Sequence, residues 1–77
     1  SRDMEKNMST HVAGQVWRLE LAECENVSKE QIICSIECMK MEIPGFAPVA
    51  GELTKWLVSS EDIVSAGQVI GILTAEE

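Results

Sequence analysis

The clearest pattern along the chain is a run in which hydrophobic and charged residues alternate. Residues 16–21 read VWRLEL, so that Trp17, Leu19 and Leu21 fall on one side and the charged residues between them fall on the other. A period of two residues is typical of a strand with one buried face. The run therefore predicts a half-buried strand with Trp17 on the core side.

Two runs rich in β-branched residues predict further strands, IICSI at residues 32–36 and VIGIL at residues 69–73. The polar segments at residues 23–26 and 59–62 predict turns between strands. The only polar stretch with helix formers, residues 27–31, is too short to nucleate a helix. Short strands at this spacing predict an all-β sandwich or barrel.

The chain also contains an ungapped internal repeat with an offset of 37 residues, which places residues 12–38 on residues 49–75. Two similar halves predict a quasi-twofold arrangement of two small sheets, because neither half could bury its apolar face alone. Seven positions are identical in this register: Val12/Val49, Ala13/Ala50, Gly14/Gly51, Val27/Val64, Ser28/Ser65, Gln31/Gln68 and Ile33/Ile70.

Size and charge limit the classes of function. The chain has 77 residues, and its 13 acidic and 6 basic residues give a net charge of −7. This balance opposes binding to nucleic acid or to an anionic membrane, since both need a basic surface. The sequence has no Ser/His/Asp set, because His11 is its single histidine, and no phosphate-binding glycine loop. We therefore expect a non-catalytic module that binds, carries or is carried.

The cysteines indicate a reduced, intracellular chain without a metal site. Cys24, Cys34 and Cys38 are three in number, which excludes a complete internal disulfide framework. They form no Cys-x-x-Cys motif that would favour metal binding. A step of four residues in a strand places Cys34 and Cys38 on one face, which predicts buried thiols.

Residues 1–10 (SRDMEKNMST) are polar and show no pattern. They lack the basic and apolar regions of a signal peptide, and no run in the chain is long enough to span a bilayer. We expect them to be a disordered leader, a linker cut from a larger chain or a cloning remnant. The predicted domain then comprises residues 11–77.

Residues 37–42 (ECMKME), between the two repeats, are the strongest candidate for a functional segment. The repeat predicts that Lys40 stands on an exposed hairpin tip, at the end of the domain opposite to the termini. Tight hairpins favour Asn or Gly, and this segment contains neither. Methionine suits adaptable recognition surfaces. The alternative is that Met39 and Met41 are core residues with an ordinary lysine between them.

This segment, followed by Pro44 and by APVAG at residues 47–51, resembles the attachment site of biotinyl domains, the biotin carboxyl carrier domains of biotin-dependent carboxylases. The usual family motif is Glu-Ala-Met-Lys-Met followed by Ala-Pro-x-x-Gly, and the resemblance extends from about His11 to Thr74. It implies the short, thumbless type of the fold, a flattened barrel or sandwich hybrid of two four-stranded antiparallel sheets with quasi-twofold symmetry.

The sequence departs from the family pattern at four positions. Cys38 stands where the family usually has alanine, which is one small residue in place of another. Cys24, Glu30 and Glu61 occupy turn positions where the family favours glycine, so the geometry of these turns is open.

The resemblance implies that Lys40 carries covalent biotin, attached by a biotin protein ligase. The tethered biotin would carry a carboxyl group between a biotin carboxylase and a carboxyltransferase. Met39 and Met41 would be recognised by the ligase and the carboxylase, and Glu37, Cys38 and Glu42 complete the flanking motif. We expect an isolated domain of this kind to be monomeric and cytoplasmic, or located in the mitochondrial matrix or a plastid if it comes from a larger eukaryotic chain.

Two other functions remain open at this point. Lipoyl domains of 2-oxoacid dehydrogenases or glycine-cleavage systems share the fold and the lysine, but usually carry Asp-Lys-Ala in place of Met-Lys-Met. An unmodified sandwich-hybrid adaptor would use Lys40 as an ordinary hairpin residue. The sequence does not indicate which acceptor a parent carboxylase would carboxylate.

Overall fold

The computed structural model describes residues 3–76 of the chain. These residues contain no helix, and so none that is long and apolar enough to cross a membrane. Their eight strands are β1 (Asp3–Ser9), β2 (Gly14–Leu19), β3 (Asn26–Val27), β4 (Ile32–Cys38), β5 (Met41–Phe46), β6 (Gly51–Trp56), β7 (Ile63–Val64) and β8 (Val69–Glu76).

The strands form two four-stranded sheets that obey the internal repeat. Sheet A has the order β1-β8-β6-β3 and sheet B the order β5-β4-β2-β7, and every pairing is antiparallel. An offset of 37 residues carries β1 onto β5, β2 onto β6, β3 onto β7 and β4 onto β8. The predicted all-β fold of two antiparallel four-stranded sheets with quasi-twofold symmetry is confirmed.

The core is aliphatic and is shared by both sheets. The largest fully buried side chains include Val16 and Ile33 of sheet B and Leu53 and Leu73 of sheet A. None of the three aromatic residues is buried; Trp56 is partly buried and donates its Nε1–H to the Leu21 carbonyl over 2.7 Å. Because burial of aliphatic surface dominates the stability of such a core, each sheet depends on the other to cover its apolar face.

Trp17 lies outside this core because β2 contains a bulge. The register of β2 with β4 passes from Val16/Ile36 to Arg18/Ser35 and leaves Trp17 unpaired. Val16 is therefore buried and Trp17 is 46% exposed. The prediction that Trp17 lies on the core side is wrong, because one extra residue in a bulge shifts the alternation of faces.

Residues Asp3–Ser9 are part of the fold rather than a leader. β1 pairs with β8 from Asp3/Glu76 to Ser9/Val69, and Met8 is buried in the core. The prediction that residues 1–10 lie outside the domain is therefore wrong from residue 3 onward; residues 1 and 2 lie outside the described residues. The repeat contained the missing signal, since its offset also matches Met4 with Met41 and Glu5 with Glu42.

Four symmetry-related turn positions adopt positive φ. Cys24 (72°) corresponds to Glu61 (77°), and Glu30 (67°) corresponds to Gly67 (85°). Three of the four are therefore L-residues in a conformation that costs them about 1–2 kcal/mol each. These turns, whose geometry was not predicted from the sequence, therefore have the positive φ that is typical of glycine, although three of the four positions carry another residue.

The hairpin between β4 and β5 lies at the opposite end of the molecule from the last residues of β8. The molecule measures 42 × 17 × 17 Å. β6 ends at Trp56, which pairs with Gly71 of β8. The chain then crosses to sheet B, where Ile63 pairs with Gln15, and Gln15 pairs in turn with Glu37 beside the hairpin. The Gly71 end of β8 is consequently the hairpin end. The predicted separation of Lys40 from the described ends of the chain is confirmed.

We predict that Glu30→Gly raises the free energy of unfolding by about 0.5–1 kcal/mol. Glycine removes the cost of positive φ, and its greater freedom in the unfolded chain offsets only part of that gain. Glu52→Gly is the matched control, since it removes the same charge from an exposed position within β6 and should lower the free energy of unfolding. Urea denaturation measures both variants. Equal destabilisation by the two would contradict the assigned strain.

Candidate functional site

The β4–β5 hairpin closes with two residues between its last paired positions. Cys38 pairs with Met41, and the two residues between them have positive φ, 51° at Met39 and 65° at Lys40. Positive φ at both central positions defines a type I′ turn, whose twist matches that of the flanking strands. The tip predicted from the repeat is confirmed, with Lys40 at its second position.

The residues in this turn are unfavourable for the conformation they adopt. Type I′ turns normally carry Asn or Gly, because an L-residue with a longer side chain loses about 1–2 kcal/mol in the left-handed region. Met39 and Lys40 both adopt this unfavourable conformation. Strain of this kind persists only where surrounding structure fixes the chain, and it is frequent at functional sites.

The side chains of the hairpin project into solvent. Met39 is 90% exposed and Met41 is 64% exposed, and Lys40 between them is also exposed. The alternative in which the two methionines are core residues is therefore wrong. Two exposed methionines beside an exposed lysine form a flexible apolar surface around an amine.

The other three residues of the predicted motif lie at the base of the hairpin. Glu37 and Glu42 are directly paired across β4 and β5, and both are exposed. Two like charges directly opposite each other destabilise the pairing of their strands, so these two glutamates do not stabilise the hairpin. Cys38 is partly buried. The structure thus brings all six predicted residues together on one hairpin.

Beneath the hairpin, β4 and β5 pack closely around a buried thiol. Cys34 is fully buried, as predicted, and burial raises the pKa of its thiol to about 11. A Cβ added at Gly45 of β5 would lie 2.6 Å from the Cys34 Sγ, so only glycine fits opposite this thiol. Cys34 is therefore a protonated core residue at neutral pH and does not act as a nucleophile.

Gly14 brings β2 against the base of the hairpin. A Cβ at this position would lie 2.1 Å from the Glu37 carbonyl oxygen, and the equivalent Gly51 meets the Thr74 carbonyl oxygen at 2.3 Å in the same way. Sequence reasoning did not give Gly14 and Gly45 a role at the site. For Gly14 the signal was present, because it is one of the identities of the repeat.

Two exposed hydrophobic residues near the hairpin were also missed. Trp17 on β2 and Ile63 on β7 are 46% and 75% exposed, and both belong to sheet B with the hairpin. Trp17 was missed because a bulge is invisible in the alternation of residue types. Ile63 was missed because its two-residue strand is too short to show a pattern.

Comparisons with known proteins agree with this geometry. A family model described as "Biotin-requiring enzyme" matches residues 6–73. The chain is 31% identical over 71 residues to the "Biotinylated protein TB7.3 homolog" of Mycobacterium leprae, with 92% of this chain and 100% of the relative covered. It is 30% identical over 63 residues to the "Biotin/lipoyl attachment protein" of Bacillus subtilis, with 82% and 86% covered.

Solved structures share the fold. The urea carboxylase of Kluyveromyces lactis matches with a TM-score of 0.86 and 25% identity over 95% of this chain. A single-chain, multi-domain long-chain acyl-CoA carboxylase matches with a TM-score of 0.87 and 23% identity over 95% of this chain, which supports the fold alone. The chain corresponds to only 6% and 7% of these two much longer proteins.

The family model covers most of the chain, and both relatives are similar over most of their own length. The family-model match includes the first half of the repeat, the hairpin with Lys40 and the second half as far as Leu73. The chain belongs to the biotin/lipoyl attachment family of biotin-requiring enzymes, in which it has the fold of a biotin carboxyl carrier domain.

Proposed function

We propose that this chain is a biotin carboxyl carrier in which Lys40 accepts the biotin. The observation that carries the proposal is the hairpin tip, where a strained two-residue turn holds Lys40 in solvent between two exposed methionines. Membership of the biotin-requiring family and similarity to a protein named as biotinylated support biotin as the attached group.

Attachment requires a partner enzyme, because the carboxylate of biotin must be activated before an amine can form an amide with it. A biotin protein ligase takes up the proton and supplies biotinyl-adenylate made from biotin and ATP. Lys40 Nζ attacks the carbonyl carbon of the adenylate, the bond from that carbon to the phosphate oxygen breaks, and AMP leaves. The product is an uncharged amide on a long, flexible arm.

In this role the domain catalyses no step itself and instead positions the tethered biotin at the partner enzymes. Biotin supplies a ureido nitrogen that is carboxylated at a biotin carboxylase and gives up the carboxyl group at a carboxyltransferase. A tether raises the effective concentration of biotin at each enzyme to about the millimolar range. Lys40 at one end of a molecule 42 Å long suits this role, since the body of the domain stays clear of both enzymes. In the proposed role the domain is monomeric and cytoplasmic.

Lipoate is the alternative cofactor, and the name of the Bacillus subtilis relative includes both groups. Met39 and Met41 favour biotin, because lipoyl domains usually have other residues at these positions. An unmodified adaptor is less well supported, since nothing in such a role would require two strained residues at an exposed turn.

We predict that Lys40→Arg abolishes biotin attachment, because a guanidinium remains protonated and does not act as an acyl acceptor. The measurement is intact mass and peptide mapping after co-expression with a biotin protein ligase. Lys6→Arg, Lys29→Arg and Lys55→Arg are the controls, since these exposed lysines lie outside the hairpin, and each should gain one biotin. Biotin on the Lys40→Arg variant would exclude Lys40 as the acceptor.

We also predict that Met39→Ala and Met41→Ala each lower the kcat/KM of biotin attachment about tenfold, the loss expected for an apolar contact at the centre of an interface. Met4→Ala is the matched control, because the repeat places Met4 at the position of Met41 on the other sheet. Steady-state ligase kinetics measure all three variants. An equal loss in Met4→Ala would show that the effect comes from stability rather than recognition.

A further inference from the structure

The internal repeat allows the two outer faces of the barrel to be compared position by position. Sheet B exposes large apolar side chains where sheet A has polar ones. Trp17 corresponds to Thr54, and Ile63 corresponds to Asn26. Because the two halves share one backbone design, these differences are not needed for the fold. They indicate that the outer face of sheet B has a task that sheet A lacks.

Cross-strand pairing defines a row of side chains on this outer face. Glu42 pairs with Glu37, Glu37 with Gln15, and Gln15 with Ile63. Directly paired residues point to the same side of a sheet, and all four are exposed or partly exposed. The row begins two residues from Lys40 and extends across all four strands of sheet B, so the face is continuous with the hairpin.

A groove of about 450 Å³ opens beside this row. Two hydrogen bonds fix its walls: the Ser60 hydroxyl donates to the Trp17 carbonyl over 3.0 Å, and the Gln15 side-chain amide donates to the Glu61 carbonyl over 3.1 Å. Its lining residues are Gln15, Val16, Trp17, Glu37, Ser60 and Glu61.

Trp17 and Glu37 are neighbours in this groove. The equivalent residues of sheet A, Thr54 and Thr74, are joined by a hydrogen bond between their hydroxyls, which shows that the two positions meet on the outer face. The groove therefore combines an indole with an adjacent carboxylate. The lining also contains a second acidic residue, Glu61.

This combination suits a guanidinium group. The Arg18 guanidinium already lies 5.7 Å from the centroid of the Trp17 ring, so an arginine from outside would have to use the other face of the indole or displace Arg18. An arginine from outside could stack on the indole and pair with a carboxylate, which are the two interactions that distinguish arginine from lysine. A chain with a net charge of −7 also attracts a basic partner over distance.

We propose that this groove, with Ile63 beside it, is a docking site for an arginine of the biotin protein ligase, presented on a loop with flanking apolar residues. The proposal rests on the proposed function. The ligase is the partner because it must bring the bare Lys40 amine to the adenylate, and therefore approaches within a few residues of the hairpin.

The test is steady-state biotin attachment with purified biotin protein ligase, biotin and ATP. Trp17→Thr and Ile63→Asn convert the groove to the residues of sheet A. Each should raise the KM for the carrier tenfold or more, with kcat near the wild-type value, as expected for a residue central to an interface. Glu37→Gln should reduce the dependence of KM on salt concentration. Thr54→Ala and Asn26→Ala on sheet A should leave KM unchanged.

The outcomes separate the two proposals. A wild-type chain that gains no biotin overturns the proposed function. A wild-type chain that is biotinylated, together with a Trp17→Thr variant whose KM lies within twofold of wild type, overturns only the docking site. Thermal unfolding of each variant is measured in parallel. If Trp17→Thr instead dissociates a dimer in sedimentation experiments while KM stays unchanged, the groove binds a second copy of the chain and the ligase proposal is wrong.

Discussion

The central constraint in this protein is the closure of the β4–β5 hairpin by two residues that both adopt positive φ. Met39 and Lys40 do not favour this conformation, so the turn does not form because of its own sequence. It forms because β4 is anchored on both sides. β4 lies between β2 and β5 in sheet B, and its buried residues pack into the shared aliphatic core. The stability of the barrel is therefore what holds Lys40 in solvent at the tip of the hairpin.

The repeat separates what the fold needs from what the function needs. The two halves share their strand order, their bulges and their glycine-like turns, which are the features that build the barrel. The two sheets differ at particular positions: in sheet B, which contains the hairpin, Gly45 takes the place of Met8 and Trp17 takes the place of Thr54. In the proposed function a small domain with three aromatic residues is sufficient, because the cofactor and the partner enzymes would supply the chemistry. The domain would have only to present an amine and a recognisable surface.

Much of this was predictable from the sequence, because the repeat, the alternation and the turn residues are local signals. These signals predicted the two sheets and the exposed position of Lys40. The strand β1 was missed because an edge strand with a solvated outer face carries little hydrophobic pattern, and only Met8 is buried among its residues with described side chains. Trp17 was misplaced because a bulge changes the facing of a residue without changing its neighbours in sequence. The positive φ at Glu30 was not predicted, because tertiary packing imposes on glutamate a conformation that local preference opposes.

The most direct test of the account is a competition between the two possible cofactors. The chain is expressed with a biotin protein ligase and a lipoate ligase together, with biotin and lipoate both supplied, and its intact mass is measured. The account predicts that one biotinyl group is added per chain. A lipoyl increment, or an unmodified chain when both ligases are active on known substrates, would contradict it.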